Sequence, residues 1–177
     1  MMRFMKRLAR GFRSEDGTAS VEFVMAVPVL LTVFMASFES GLLMTRSVML
    51  EQAVDITMRE LRLGHYVNPD ADLLKTEICK RTVIFNDCQA KIRIELTRVS
   101  KSTWAMPSTS TSCINRASAF QVPDTLMALT ENEMMLMRVC VYQDLMFPTS
   151  GLGLKLADTG YGNYGLIAIS AFVVEPD

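Results

Sequence analysis

Sixteen consecutive uncharged residues, Phe23-Val-Met-Ala-Val-Pro-Val-Leu-Leu-Thr-Val-Phe-Met-Ala-Ser-Phe38, are closed at their two ends by Glu22 and Glu39. With Thr18 to Val21 the stretch reaches roughly 20 residues, the length an α-helix needs to cross a hydrocarbon core about 30 Å thick. Pro28 lies inside it, a kink that a bilayer helix tolerates when neighbours satisfy the freed carbonyl. One transmembrane helix is therefore predicted. Arg3, Lys6, Arg7, Arg10 and Arg13 precede the run and Arg46 is the first base after it, which puts the N-terminus in the cytoplasm and everything past about Ser40 outside the membrane. A secretory signal peptide is the competing reading. It suits the residues poorly, because each small residue ending the run has a large or charged one two places earlier: Phe34 before Ala36, Met35 before Ser37, Phe38 before Ser40, Glu39 before Gly41.

The run concentrates an apolarity that is high for the whole chain, 50% hydrophobic over 177 residues with a mean hydropathy of +0.23. Lys and Arg total 18 against 19 Asp and Glu, so the basic footprint of a nucleic-acid binder is missing and nucleic acid is excluded as a partner. One His, four Cys and nine Gly leave little material for a His-rich metal site or a glycine-lined phosphate site, and the 14 Met read as apolar filler. The carboxylates form no pair in an apolar context of the kind that shifted-pKa catalysis needs. His65, the sole imidazole, follows a predicted helix end where a cation suits the dipole; partnership with a Cys or Ser nucleophile is its competing role. The composition leans away from an enzyme, and no cofactor is expected.

Glu22 is the outlier of the apolar segment, since a carboxylate at the centre of a membrane helix costs on the order of 2.5 to 3.5 kcal/mol, and less near the interface. An acid in a helix's first turns also complements the dipole, so Glu22 alone could simply mark the helix start. Its neighbours say more. Gly17, four residues, then Glu22 and Phe23, opening an apolar helix behind a short basic leader, resembles the processing site of type IV pilins. The stretch Gly17-Thr-Ala-Ser-Val-Glu-Phe-Val-Met-Ala-Val-Pro-Val-Leu-Leu31 is similar to the opening of the TadE/TadF-like minor pilins of the tight-adherence (Tad, Flp-type) type IV pilus. That resemblance implies cleavage by a membrane-embedded aspartyl prepilin peptidase between Gly17 and Thr18. Glu22 becomes the fifth mature residue and Phe23 the sixth, and this Glu has an assembly or processing role. The implied partners are prepilin peptidase, other pilus subunits and assembly proteins, and membrane lipid along Phe23 to Phe38. The implied location is the bacterial inner membrane, with the C-terminal part in the periplasm. An uncleaved single-pass periplasmic binding domain or enzyme unrelated to pili is the alternative. Loss of residues 1–17, with five bases and two acids, would leave 13 bases against 17 acids and a formal charge of -4.

Beyond the span the helical pattern continues to Leu63, with Leu50, Val54, Met58 and Leu61 on one stripe, Glu51, Asp55, Arg59 and Arg62 largely off it, and Gly64 as the cap. Asp70 to Arg81 reads as a short helix with Asn68 or Asp70 as its cap. The period then changes to two. Ala90–Val99, Met134–Gln143 and Leu166–Val174 are predicted strands, and Phe120–Val122 is a candidate short one. Ser100–Ser112, the stretch from Pro148 to Gly153, and the Gly- and Tyr-rich Tyr161–Gly165 are read as loops, and Asp124–Glu133 as a helical turn or loop. The organisation is a leader 1–17, a transmembrane helix 18–40, its continuation 41–64, and an α+β head 65–177 with a small antiparallel sheet. Arg138-Val139, Tyr142, Pro148 and Glu175-Pro176 add a weaker resemblance to the same family in the C-terminal half. Cys140, and Gln143-Asp144 where the family often has Pro-Trp, depart from it.

Cys79, Cys88, Cys113 and Cys140 all follow the span. An even number in an oxidising compartment suggests two disulfides. Of three pairings, Cys79 with Cys88 and Cys113 with Cys140 is favoured, because the first pair joins the end of the short helix to the approach of the next strand. Zinc is the alternative, against which stands the lack of any C-x-x-C spacing.

Overall fold

The computed structural model describes residues 18–66, 69–105, 124–130, 132–149, 151–156 and 163–175. Helix α1, Thr18–Arg62, has 45 residues and is about 68 Å long at 1.5 Å per residue. Pro28 lies within it and withholds the N–H that the Val24 carbonyl would take. The hydroxyls of Thr32, Ser37, Ser40 and Thr45 each donate to a carbonyl three or four residues back, at 2.8–2.9 Å. Those polar groups are thereby satisfied by the helix's own backbone and need no water. At its far end Gly64 adopts φ 68°, its N–H donating to Leu61 and the His65 N–H to Glu60. This is the left-handed closure that a glycine makes without a Cβ clash.

Asp70 caps α2, Ala71–Arg81, by accepting from the Leu73 N–H at 2.7 Å. A single turn, α3 (Cys88–Lys91), leads into β1, Ile92–Val99. The remaining elements are β2 (Thr125–Leu126), β3 (Met134–Asp144), α4 (Gly151–Leu156) and β4 (Asn163–Val173). The sheet order is β2-β1-β3-β4. Strands β1, β3 and β4 form the expected small antiparallel sheet, and the two-residue β2 adds one parallel pair at the edge beside β1, so the four-stranded sheet is mixed. The cause is Asp124: its carboxylate accepts from the Ile94 N–H at 3.0 Å and pairs with Lys75 of α2. That holds the entry to β2 alongside β1, and the Met127 N–H then donates to Leu96.

Three expectations are corrected. Thr125–Leu126 is a strand inside the stretch read as turn or loop, β4 begins at Asn163 inside the Gly- and Tyr-rich loop, and Gly151–Leu156 is helical. The early start of β4 follows from its partner, since β3 runs on to Asp144 and pairs it with Asn163. Phe120–Val122 and residues 106–112 of the expected Ser- and Thr-rich loop lie outside the described residues.

One face of the sheet carries the core. Ile92, Ile94 and Leu96 stand opposite Val141, Val139 and Met137, and Val141 and Val139 in turn stand opposite Leu166 and Ala168. Onto this face α1 lays Leu50, Ala53, Val54, Met58 and Leu61, and α2 adds Leu74 and Ile78, all buried. Full burial of such an aliphatic side chain contributes about 1.5 to 3 kcal/mol. On the opposite face Arg138, 6% exposed, pairs at 3.0 Å with Glu95 directly across the β1–β3 ladder.

Candidate functional site: the bare half of the helix

The stripe geometry that buries residues 50–61 does not apply to the first half of α1. From Val21 to Phe34 nearly every side chain is exposed, including Phe23, Val24, Met25, Val29, Leu30 and Val33, each at 60% or more. The apolar residues are spread all round the helix, so no face could be hidden against one sheet. The helix is long and apolar enough to cross a membrane, and none of its most apolar 18-residue window is buried.

Among the residues singled out from sequence, Gly17 lies outside the described residues. Thr18 is the first residue of α1. Glu22, exposed, stands one turn beyond it on the same face, beside Phe23, which is 68% exposed. Glu22 and Phe23 are therefore both open to a neighbouring molecule.

The other end of the bare segment is built differently. Glu39 is fully buried. Its carboxylate accepts from two successive amides of the loop after β3, Met146 N at 3.1 Å and Phe147 N at 3.0 Å. Phe38 meets the Phe147 ring edge-on with centroids 6.1 Å apart. Two turns on, Arg46 donates to the Tyr164 hydroxyl at 2.7 Å. Sequence reasoning took Glu39 only as the border of the apolar run. Its partners are 107 and 108 residues away, and the one local signal was a carboxylate with apolar neighbours where a Lys or Arg would have snorkelled to water.

Near the far end of α1, Arg81 binds Glu60 and Glu77, each at 3.0 Å, and Tyr66 donates to Glu60. The Tyr66 hydroxyl and then the Arg81 guanidinium hold Glu60 below its ordinary range, while burial and the Glu60 hydrogen bond push Tyr66 up to about 12. Lys80, with help from Arg81, lowers Glu77. This cluster ties α1 to α2. Cys79 and Cys88 form a disulfide with a Cα–Cα distance of 5.7 Å, joining the end of α2 to α3. Cys140, on β3, is also disulfide-bonded; Cys113, its expected partner, lies outside the described residues. Among the described residues no group of three or more His, Cys, Asp or Glu could hold a metal ion.

Residues 17–59 match the family model described as TadE-like protein. No curated protein and no solved structure matches the chain. The matched segment is the bare half of α1 together with most of the stripe that enters the head, the two parts on which the architecture depends. Over this segment, about a quarter of its length, the chain is similar to the TadE-like proteins.

Proposed function

We propose that this chain is a minor, pilin-like subunit required for assembly of a tight-adherence pilus and cut by prepilin peptidase between Gly17 and Thr18. Residues 1–17 are the discarded leader, 18–40 lie in the inner membrane with the N-terminal side in the cytoplasm, 41–64 continue the helix, and 65–177 form the periplasmic head. The observation that carries this reading is the bare apolar half of α1 with Glu22 at its mouth, immediately after the Gly17-Thr18 junction.

Glu22 then has a definite task. A carboxylate and a newly formed ammonium are each expensive in lipid, and pairing them across neighbouring subunits removes much of that cost. Glu22 of one subunit pairs with the Thr18 ammonium of the next, and the surrounding apolar side chains pack helix to helix in the bilayer or the filament. The chain binds and assembles, and the chemistry is done to it.

N-terminal sequencing and intact mass of the membrane-extracted protein test the reading. A chain beginning at Thr18 is expected; one beginning at Met1 or Met2 would mean an uncleaved anchor and sink it. Glu22→Ala is expected to impair processing or recruitment into the pilus machinery. If both proceed unchanged, the pairing role is wrong.

A further inference from the structure

We propose that the loop at Met146 and Phe147 is a second membrane contact: held on Glu39 beside Phe38, it rests in the outer interfacial layer of the bilayer that α1 crosses. The inference rests on the reading of residues 18–40 as the span. From Thr18 to Phe38 the helix rises about 31 Å, which matches a hydrocarbon core about 30 Å thick and places Phe38 at its outer edge.

The head reaches down to that level. Residues 28–34 are all exposed, whereas Met35 and Ala36 are half-buried and Glu39 fully so; cover therefore begins inside the last turn of the apolar run. Phe34, Phe38 and Phe147 follow one another from the span into the head loop, with centroids 6.4 and 6.1 Å apart. Phe34, Phe38 and Met146 remain 65%, 45% and 56% exposed. They make one apolar surface shared by helix and loop, continuous with the span itself.

Glu39 is what allows a loop to sit there. Backbone amides facing a membrane interface need partners, and the Met146 and Phe147 amides have theirs in a buried carboxylate and not in water. The same bonds satisfy the carboxylate that Glu39 would otherwise present, exposed, at the edge of the hydrocarbon. Aromatic rings at that depth are the side chains that interfacial layers favour.

The test places one indole at a time in the full-length chain carrying Trp104→Phe, reconstituted in phosphatidylcholine–phosphatidylglycerol vesicles. Met146→Trp reports the loop, Leu30→Trp the span, and Val83→Trp a fully wet site on the head. The indole at 146 is expected to be quenched several-fold more than that at 83 by lipids brominated near the headgroup end of their chains, and to be shielded from aqueous acrylamide. Adding Glu39→Ala should return position 146 to the accessibility of position 83 and leave position 30 unchanged, while Glu39→Gln keeps part of the protection. If position 146 is as open to acrylamide as position 83 while position 30 is quenched by lipid, the loop contact is wrong and the span stands. Shielding without lipid quenching means a protein covers the loop, and overturns the proposal. Absence of lipid quenching at position 30 removes the span reading and the loop contact with it.

Discussion

The two halves of α1 share one backbone conformation and differ in what surrounds them. Between Phe23 and Phe34 the side chains are apolar on nearly every side and almost all exposed; between Leu50 and Leu61 they are apolar on one stripe, and that stripe is sealed against the sheet. Helicity is thus indifferent to the partner, and side-chain distribution decides it. A residue set with no polar side is suited to a medium that surrounds it, lipid or like helices; a set with one apolar side is suited to a single packed face. The same substitution should consequently have opposite readouts in the two halves.

The largest contrast is between Leu50→Ala and Leu30→Ala. The first opens a cavity in the core and should lower the unfolding free energy of the head by about 2 to 5 kcal/mol, read as a fall in Tm by circular dichroism in detergent. The second should leave Tm where it was. An equal loss at both positions would erase the distinction. Conversely, Val29→Lys near the middle of the span should cost about 3 kcal/mol of membrane insertion, read as the inserted fraction in a translocation assay, with the head's Tm unaffected.

Smaller effects sharpen the picture of the packed half. Replacing Cys79 and Cys88 together by Ala removes a short-loop crosslink beside α2 and should destabilise the head by about 2 to 3 kcal/mol in chemical denaturation. Asp70→Ala, which leaves the Leu73 N–H without its cap, should cost about 1 kcal/mol in the same experiment. The smallest effect is a pH dependence. Tyr66 ionises at about 12 when folded against an ordinary value of 10.0, so its contribution is complete below pH 10 and fades as pH rises toward 12. Glu60 is shifted down from 4.5, so its contribution is present above pH 4.5 and fades as pH falls below it. Tyr66→Phe should flatten the alkaline limb of a Tm-against-pH profile and weaken the acid limb.

Much of this was legible in the sequence because it is periodic or local. The Leu50, Val54, Met58, Leu61 stripe, the Gly64 terminus, the Asp70 cap and the alternation Ile92, Ile94, Leu96 each announce themselves within a few residues. What was not legible depends on contacts across long stretches of chain. Thr125–Leu126 is a strand only because Asp124 reaches Ile94 and Lys75. Asn163 and Tyr164 extend β4 only because Asp144 and Gln143 lie opposite them. Glu39 reads as a boundary charge until the loop at Met146 and Phe147 is brought to it, and the pairing of Arg138 with Glu95 is visible only once the β1–β3 ladder sets them opposite. In the candidate site, Glu22 and Phe23 were visible through their spacing from Gly17, whereas the far end of the span was not.

The uninterrupted course of α1 from its bare half into the core has a mechanical consequence. No linker separates the bare half from the head, so tension applied along the helix axis loads the packing of Leu50, Val54, Met58 and Leu61 against the sheet in shear, all four rows at once. Pulling on the bare half is then the same act as pulling on the core, and the head resists with the whole of its packed face.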